Sequence, residues 1–397
     1  MSEALAAHHR RAVMLLSVAA FASAAAARLC DPMLPDLARS FAASPTAVAS
    51  VISSFAIAYG LSQALFGPLG DRVGKYRLIA LTTLCSTLGA LGSALAASLD
   101  ALVVSRVLLG ATAAGIIPLS MAWIGDTVPY EQRQATLARF LGGQILGSVG
   151  GQFIGGAFTD TLGWRWAFAF LAVLYLLIGI VVLLESRANP STQHRQTDTY
   201  HQGLLLGQAA EVFAQPWARL ILSIVFLEGM LVFGTLAFVP SYLHQHFGLS
   251  LTLASAAMAF FGLGGLSYIF AARYFVRRLG EVGLAMGGGV LIALGWLILA
   301  WGSTWIWALP ASYLVGLGFY MVHNTLQTHA TQMAPKVRGT AVSLFASSFF
   351  LGQALGVSLA AQTLTAAGIV PLLLLAALAT PLVGGTLAWR LARHHRA

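Results

Sequence analysis

Gly67-Pro68-Leu69-Gly70-Asp71-Arg72-Val73-Gly74-Lys75-Tyr76-Arg77 is a charged, glycine-rich stretch set between two long apolar runs. Only 9% of the 397 residues are charged, so a cluster this dense belongs where the chain leaves lipid. Its glycines permit a tight helix–turn–helix, because glycine reaches backbone conformations that a Cβ forbids. Asp71 is placed to cap or pair at neighbouring helix ends. Arg72, Lys75 and Arg77 hold the loop on the cytoplasmic side.

The composition agrees. Hydrophobic residues make up 58% of the chain and mean hydropathy is +0.80, more than a water-facing surface tolerates. A span needs about 20 apolar residues, and about twelve runs qualify. They lie near 12–36, 47–68, 78–98, 101–124, 136–158 and 164–184, then 219–243, 251–272, 282–301, 305–330, 340–363 and 368–391. The expected fold is all-α and integral to the membrane: twelve transmembrane helices in two pseudo-symmetric six-helix bundles.

A net charge of +9 raises the question of nucleic acid, and its distribution answers it. With a cytoplasmic N-terminus, Arg39 and Arg165 fall outside and Arg28 and Arg106 within spans. The other 18 of the 22 Lys/Arg fall on the cytoplasmic side. That is the positive-inside asymmetry of an even-numbered bundle with both termini cytoplasmic. The tail Arg390, Arg393, His394, His395, Arg396 then anchors on membrane lipid, and no nucleic-acid partner is expected. His8-His9-Arg10-Arg11 and the following apolar run imitate a signal peptide. They are read as the uncleaved first helix, because removal would destroy the duplication. Cys30 and Cys85 lie in apolar runs and imply no disulfide framework.

The duplication is a repeat at a separation of 205 residues. Pro35 matches Pro240, Arg133 matches Arg338, and Gly147 and Gly151 match Gly352 and Gly356. The expected domains are an N-terminal bundle over 1–184, a cytoplasmic linker over 185–216 and a C-terminal bundle over 217–397. The linker includes Asn189-Pro190-Ser191-Thr192-Gln193-His194-Arg195-Gln196, with a short amphipathic helix near 202–214 on the membrane surface. Duplicated halves place a substrate site at their interface near the bilayer midplane.

The opening stretch fits G-x-L-x-D-R-x-G-[KR]-x-[KR] and resembles the loop joining the second and third helices of the major facilitator superfamily. The resemblance implies a transporter working by alternating access, and it covers nearly the whole chain. It implies a conformational gate of Gly67, Asp71, Arg72, Gly74 and Lys75, closing with Asp126 and Arg133 of the loop after the fourth helix. Asp71 is expected to cap a neighbouring helix N-terminus near Arg133. The second-half counterpart keeps Arg273, Arg277, Arg278 and Gly280 but has no aspartate for Asp71, so that gate is expected to be looser.

Arg28, Asp31, Arg106 and Glu228 are the intramembrane ionisable residues that matter most. Each costs about 2.5–3.5 kcal/mol at a helix centre, so each should face the bundle interior with a partner. Arg28 and Asp31 stand i,i+3 on the first helix, close enough to pair along one face. Either they form a salt bridge that makes both insertable, or Asp31 takes up and releases a proton. Arg106-Val107-Leu108-Leu109-Gly110 resembles the fourth-helix R-x-x-x-G element of proton-linked members, which implies a coupling role for Arg106. Asp31, four residues before Pro35, resembles the first-helix acid of multidrug members. Glu228 falls opposite Ser23 at the 205 offset. It reads as a second proton site, a counter-charge for a cationic substrate, or a protonated glutamate hydrogen-bonded inside the bundle.

The fifth helix carries Gly147-x-x-x-Gly151-Gln152-x-x-Gly155-Gly156. Glycines at i and i+4 let helix backbones approach closely. The pattern resembles the G-x-x-x-G-P-x-x-G-G element of the twelve-helix drug–proton antiporters, with Gln152 in place of proline, a departure that puts the proline kink, though not the close packing, in question. Polar or aromatic residues at helical spacing are the expected cavity lining, or else bonds between helices. These are Tyr59 and Gln63, Gln144, Tyr320, His323, Asn324 and Gln327, then Phe349 with Gln353. His323 also lies in the range where a proton exchanges near neutrality.

His244 with His246, or His323 with His329, lacks a completing ligand set, so no metal is expected. There is no G-x-x-x-x-G-K-[ST] for direct ATP drive and no nucleophile–base constellation, so neither a cofactor nor an enzyme is expected. The reading is a monomeric secondary transporter, in a bacterial inner membrane, that exports a small, partly hydrophobic compound in exchange for protons. Its rival is a proton-linked symporter or exporter of one metabolite, such as a sugar or nucleoside.

Overall fold

The computed structural model of the chain describes residues 3–189, 192 and 205–394, and every regular element among them is helical. The expected first span is two pieces: α1 (Glu3–Arg28) and α2 (Leu34–Ser40), parted by a 3-10 turn at Asp31–Met33. Pro32 and Pro35 account for the break, since each lacks an N–H and biases the residue before it away from helix. The single helix face expected for Arg28 and Asp31 therefore does not exist. Arg28 closes α1, whereas Asp31 opens the 3-10 turn.

α3 (Pro45–Val73) and α4 (Lys75–Ala94) follow. The turn in the opening motif is shorter than its composition suggests. Residues 67–73 remain helical, and Gly74 alone reverses the chain, with φ at 95°. α5 (Leu99–Ala113) and α6 (Ile116–Thr127) share one expected span and part at Ala114-Gly115. α7 (Tyr130–Thr161) and α8 (Trp164–Ala188) complete the first set.

Part of the expected linker, 190–191 and 193–204, lies outside the described residues, as do His395 and Arg396. The helix expected near 202–214 is α9 (Leu205–Ala214). It does more than rest on the membrane surface. Val212 is buried in the core, and Thr340 Oγ1 donates to Gln208 Oε1 at 2.6 Å.

α10 (Pro216–Glu228) runs through a π-helical turn, Gly229–Phe233, into α11 (Gly234–Leu236) and α12 (Val239–Phe247). α13 (Leu251–Ala257) leads to α14 (Ala259–Trp301), two rods joined at Gly280. α15 (Ala308–Ala330), α16 (Arg338–Ala367) and α17 (Ile369–His394) close the chain.

Among the described residues, ten helical stretches are long and apolar enough to cross a membrane. One of them, the 51-residue Leu251–Trp301, holds two expected spans on either side of Gly280. α7 is long enough at 32 residues, but its polar and glycine residues dilute its hydropathy. These account for twelve spans. The exposed surface suits lipid: Phe270 is 86% and Leu378 and Leu382 are each 70% exposed, which in water would be a standing aggregation liability.

The chain divides into two compact units, Met1–Cys30 with Ser54–Gly203, and Asp31–Ser53 with Leu204–Ala397. Each repeats the other's internal contacts. In the first, a Cβ on Gly147 or Gly151 would fall under 3.0 Å from the carbonyl oxygen of Phe21 or Ala25. In the second, Gly352 and Gly356 stand in the same relation to Phe226 and Met230. All four glycines and all four partners match at 205.

Elsewhere the offset is 206, so the separation is not constant. Gly110 is pressed on the Phe55 carbonyl and Gly316 on that of Phe261. Gly74 and Gly280, both with positive φ, also match at 206. The slip of one residue sits in connections, where insertions leave helix packing intact.

Candidate functional site

In the first unit, Arg106 is fully buried on α5. Its Nη1 donates to the Ala26 carbonyl at 2.9 Å, and its guanidinium lies 4.1 Å from the Phe55 ring centroid. Arg106 and Gly110 stand one turn apart, so both meet Phe55. The glycine lets the backbones close up, and the arginine then reaches across the ring, which desolvated cation–π geometry rewards. Beside them the Tyr59 hydroxyl lies 3.2 Å from Ser23 Oγ, and Ser23 Oγ also donates to Ala113 O at 3.2 Å. Gln63 is buried one turn beyond Tyr59, and Arg28 is buried at the end of α1. On α7, Gln144 is half-buried, whereas Gln152, Gly155 and Gly156 are buried. α7 runs unbroken past Gln152.

Three of the gate residues meet at Lys75. Lys75 Nζ donates to Asp126 Oδ2 at 2.5 Å and to Asp71 Oδ1 at 3.1 Å. Asp71 does not cap α4, whose N-cap is Gly74 and accepts no side-chain bond. Nor does Arg133 join this cluster through its described bond, which goes to the Val128 carbonyl at 3.3 Å. Gly70 is the tightly packed glycine of the motif, facing Leu119, while Gly67 faces open space and Arg72 is exposed. Both carboxylates are more than half exposed, so the cluster holds little energy. Lys75→Gln should lower stability by less than about 1 kcal/mol, read as the thermal unfolding midpoint. A larger loss would show that the lysine carries fold stability.

The second unit holds the clearest buried ionisable pair. Glu228 ends the α-helical part of α10, and its Oε2 lies 2.7 Å from His323 Nδ1 on α15. The Glu228 side chain is 1% exposed and that of His323 is 20% exposed. Glu228 Oε1 has no hydrogen-bond partner among the described residues. Phenylalanines wall the pair. Phe319 stacks on His323 at 4.9 Å, and Phe345 and Phe349 lie 5.4 and 5.2 Å away. Phe233, at the end of the π-turn, packs on Phe319 at 5.1 Å and on Phe349 at 5.3 Å.

Because α10 widens to a π-turn directly after Glu228, the carboxylate sits where the helix is least regular, a placement common at functional sites. With one proton the pair is neutral, without it negative, and with a second it is positive.

The neighbouring polar residues of α15 diverge. Asn324 Nδ2 donates to the Tyr268 hydroxyl at 3.0 Å, away from Glu228. Tyr320 packs against Phe319 and Phe261, Gln327 is half-buried and Gln353 is buried. Asp31 is fully buried and belongs to the second unit, whereas Arg106 belongs to the first. Sequence reading named Glu228, His323 and Phe349 but did not join them, and it missed Phe233, Phe319 and Phe345. The i,i+4 spacings Phe319–His323 and Phe345–Phe349 were the available signal. His329, set aside as a metal ligand, lies 2.9 Å from Glu281 through its Nε2.

Two duplicated helical units with ionisable groups buried among apolar rings define a polytopic membrane bundle of the kind that carries solutes. The chain belongs to the Major Facilitator Superfamily, whose family model matches residues 16–357. It is 25% identical over 357 residues to the inner membrane transport protein YnfM of Escherichia coli, covering 87% of this chain and 82% of that one. To the MFS-type transporter YwfA of Bacillus subtilis it is 24% identical, covering 71% of this chain and 66% of that one. A shorter match, 30% identical, links it to the multidrug export protein EmrB of Haemophilus influenzae, over 44% of this chain and 33% of that one. Among solved structures, a bacterial homolog of the human lysosomal transporter Spinster, inward-facing and unoccupied, superposes with a TM-score of 0.75. It is 16% identical and covers 99% of this chain and 98% of that one. The protein is thus an integral membrane transporter of the twelve-helix fold.

Proposed function

We propose that the protein exports a small, partly hydrophobic compound in exchange for protons by alternating access, acting as a monomer in a bacterial inner membrane. The observation that carries this reading is the Glu228–His323 pair, buried and walled by phenylalanine beside a π-turn. A proton and a substrate with a cationic or polar head compete for such a carboxylate, and the rings receive the apolar part. When one displaces the other, their movements are coupled. Asp31 and Arg28, and Arg106 against Phe55, are the further candidates for the proton path. The Lys75–Asp71–Asp126 cluster serves as a latch. The partial likeness to EmrB, named a multidrug export protein, supports export, and that to YnfM supports the inner membrane.

One observation favours transport of a single metabolite instead. Asn324 and Tyr268 hold each other at 3.0 Å, and such a fixed pair suits a hydroxylated ligand. A structure similar to this chain, at TM-score 0.73 and 16% identity, is that of the nucleoside transporter NupG.

Inverted vesicles with a preformed pH gradient separate the two. Lipophilic cations and other partly apolar compounds are expected to collapse the gradient. Collapse by sugars or nucleosides alone would replace the first reading with the second, and silence across the panel would sink proton exchange.

A further inference from the structure

In the second unit, the end where the chain enters α10 and leaves α17 holds a cavity of about 370 Å³, lined by Pro216, Trp217, Leu220, Arg390, Arg393 and His394. The export reading makes no use of it. Trp217 stacks on His394 with ring centroids 4.2 Å apart and planes 9° from parallel. His329 also meets the Trp217 indole, edge-on at 5.4 Å, and is itself tied to Glu281. Arg393 lies 3.9 Å over the Trp389 ring and Arg390 lies 5.0 Å from it.

Charge decides what this cavity accepts. Both guanidinium groups are exposed, and neither has a carboxylate partner among the described residues. Glu281, the acid behind Trp217, is already engaged by His329. Two forked cations therefore stand uncompensated at the rim, the donor geometry that suits a phosphate. The floor is different in kind, since Pro216, Leu220 and the Trp217 face are apolar. Tryptophan and arginine together mark the level where acyl chains meet headgroups.

The geometry points to a binding site for an anionic phospholipid, its phosphate between Arg390 and Arg393 and its glycerol and first methylenes against Trp217 and Leu220. A free phosphate would satisfy the arginines but leave the apolar floor wet, so the lipid is the better fit.

Native mass spectrometry of the full chain from neutral detergent tests this, with phosphatidylglycerol or phosphatidylcholine added. Phosphatidylglycerol should be retained over phosphatidylcholine, and retention should fall about fivefold for each arginine removed, in R390Q, R393Q and the double variant. Trp217→Leu, which leaves every charge in place, should also weaken it, whereas R277Q/R278Q should not.

Three results would overturn the proposal. One is undiminished retention by R390Q/R393Q. Another is an equal loss in R277Q/R278Q, which would mean general surface charge. The third is inorganic phosphate displacing the lipid at equal concentration, which would make the free anion the ligand.

Discussion

Replacing Glu228 by glutamine is expected to lower proton-driven export at least about tenfold, equivalent to about 1.4 kcal/mol in the coupled step. The folded protein should persist, because glutamine keeps the shape and a hydrogen bond to His323, which lies 2.7 Å from the carboxylate. What it cannot do is take a proton and release it. The variant should therefore still exchange labelled for unlabelled substrate across the membrane without a gradient, while uphill transport fails. A merely structural glutamate would not divide the two assays in that way. His323→Leu should do something else. It leaves a carboxylate buried at 1% exposure without its partner, a change that costs about 3–5 kcal/mol when a buried pair is broken from one side. E228Q/H323L should recover most of that loss, since no buried charge remains. Full uphill transport by E228Q would end the proposed role of the pair.

How far the sequence could be read divides along the same line. Hydropathy and glycine spacing are local, so the spans and the duplication were legible. The contacts repeat down to the residues that face each glycine, with Phe21 and Ala25 answered by Phe226 and Met230. The slip to 206 was not legible, because the matches used to find the repeat all lie on segments that keep 205. Arg28 and Asp31 do not share one helix, for a local reason too: α1 ends at Arg28, ahead of Pro32, and spacing rules for one helix no longer apply. Asp71 was expected at a helix cap, but Lys75 lies one turn away and competes successfully for it.

The pair at Glu228 was out of reach. Its members are 95 residues apart, and single-sequence periodicity says which way a side chain faces along its own helix, never which helix it meets. The duplication does say where to look. Glu228 occupies the position of Ser23, and His323, on a helix that matches at 206, that of Ile117. The scaffold thus repeats its backbone contacts but not these two residues.

The scaffold itself supplies the second large effect. Gly352→Ala is expected to reduce the amount of folded protein severely, because the added methyl would fall under 3.0 Å from the Phe226 carbonyl oxygen. Overpacking a flexible neighbour costs about 1–3 kcal/mol, but here the obstacle is helix backbone, which cannot rotate aside as a side chain does. α16 would have to move off α10, and α10 carries Glu228 two residues beyond Phe226, which Gly352 meets. The damage should therefore reach the coupling site even in protein that survives. Gly147→Ala, its counterpart against Phe21, should fold as poorly, while Gly142→Ala and Gly339→Ala, with nothing within 4 Å, should be neutral. Yield after size-exclusion chromatography and the thermal midpoint of what remains would report both outcomes. Wild-type behaviour of Gly352→Ala would mean that the two helices are not locked at this contact, and the close packing inferred from the glycine spacing would have to be given up.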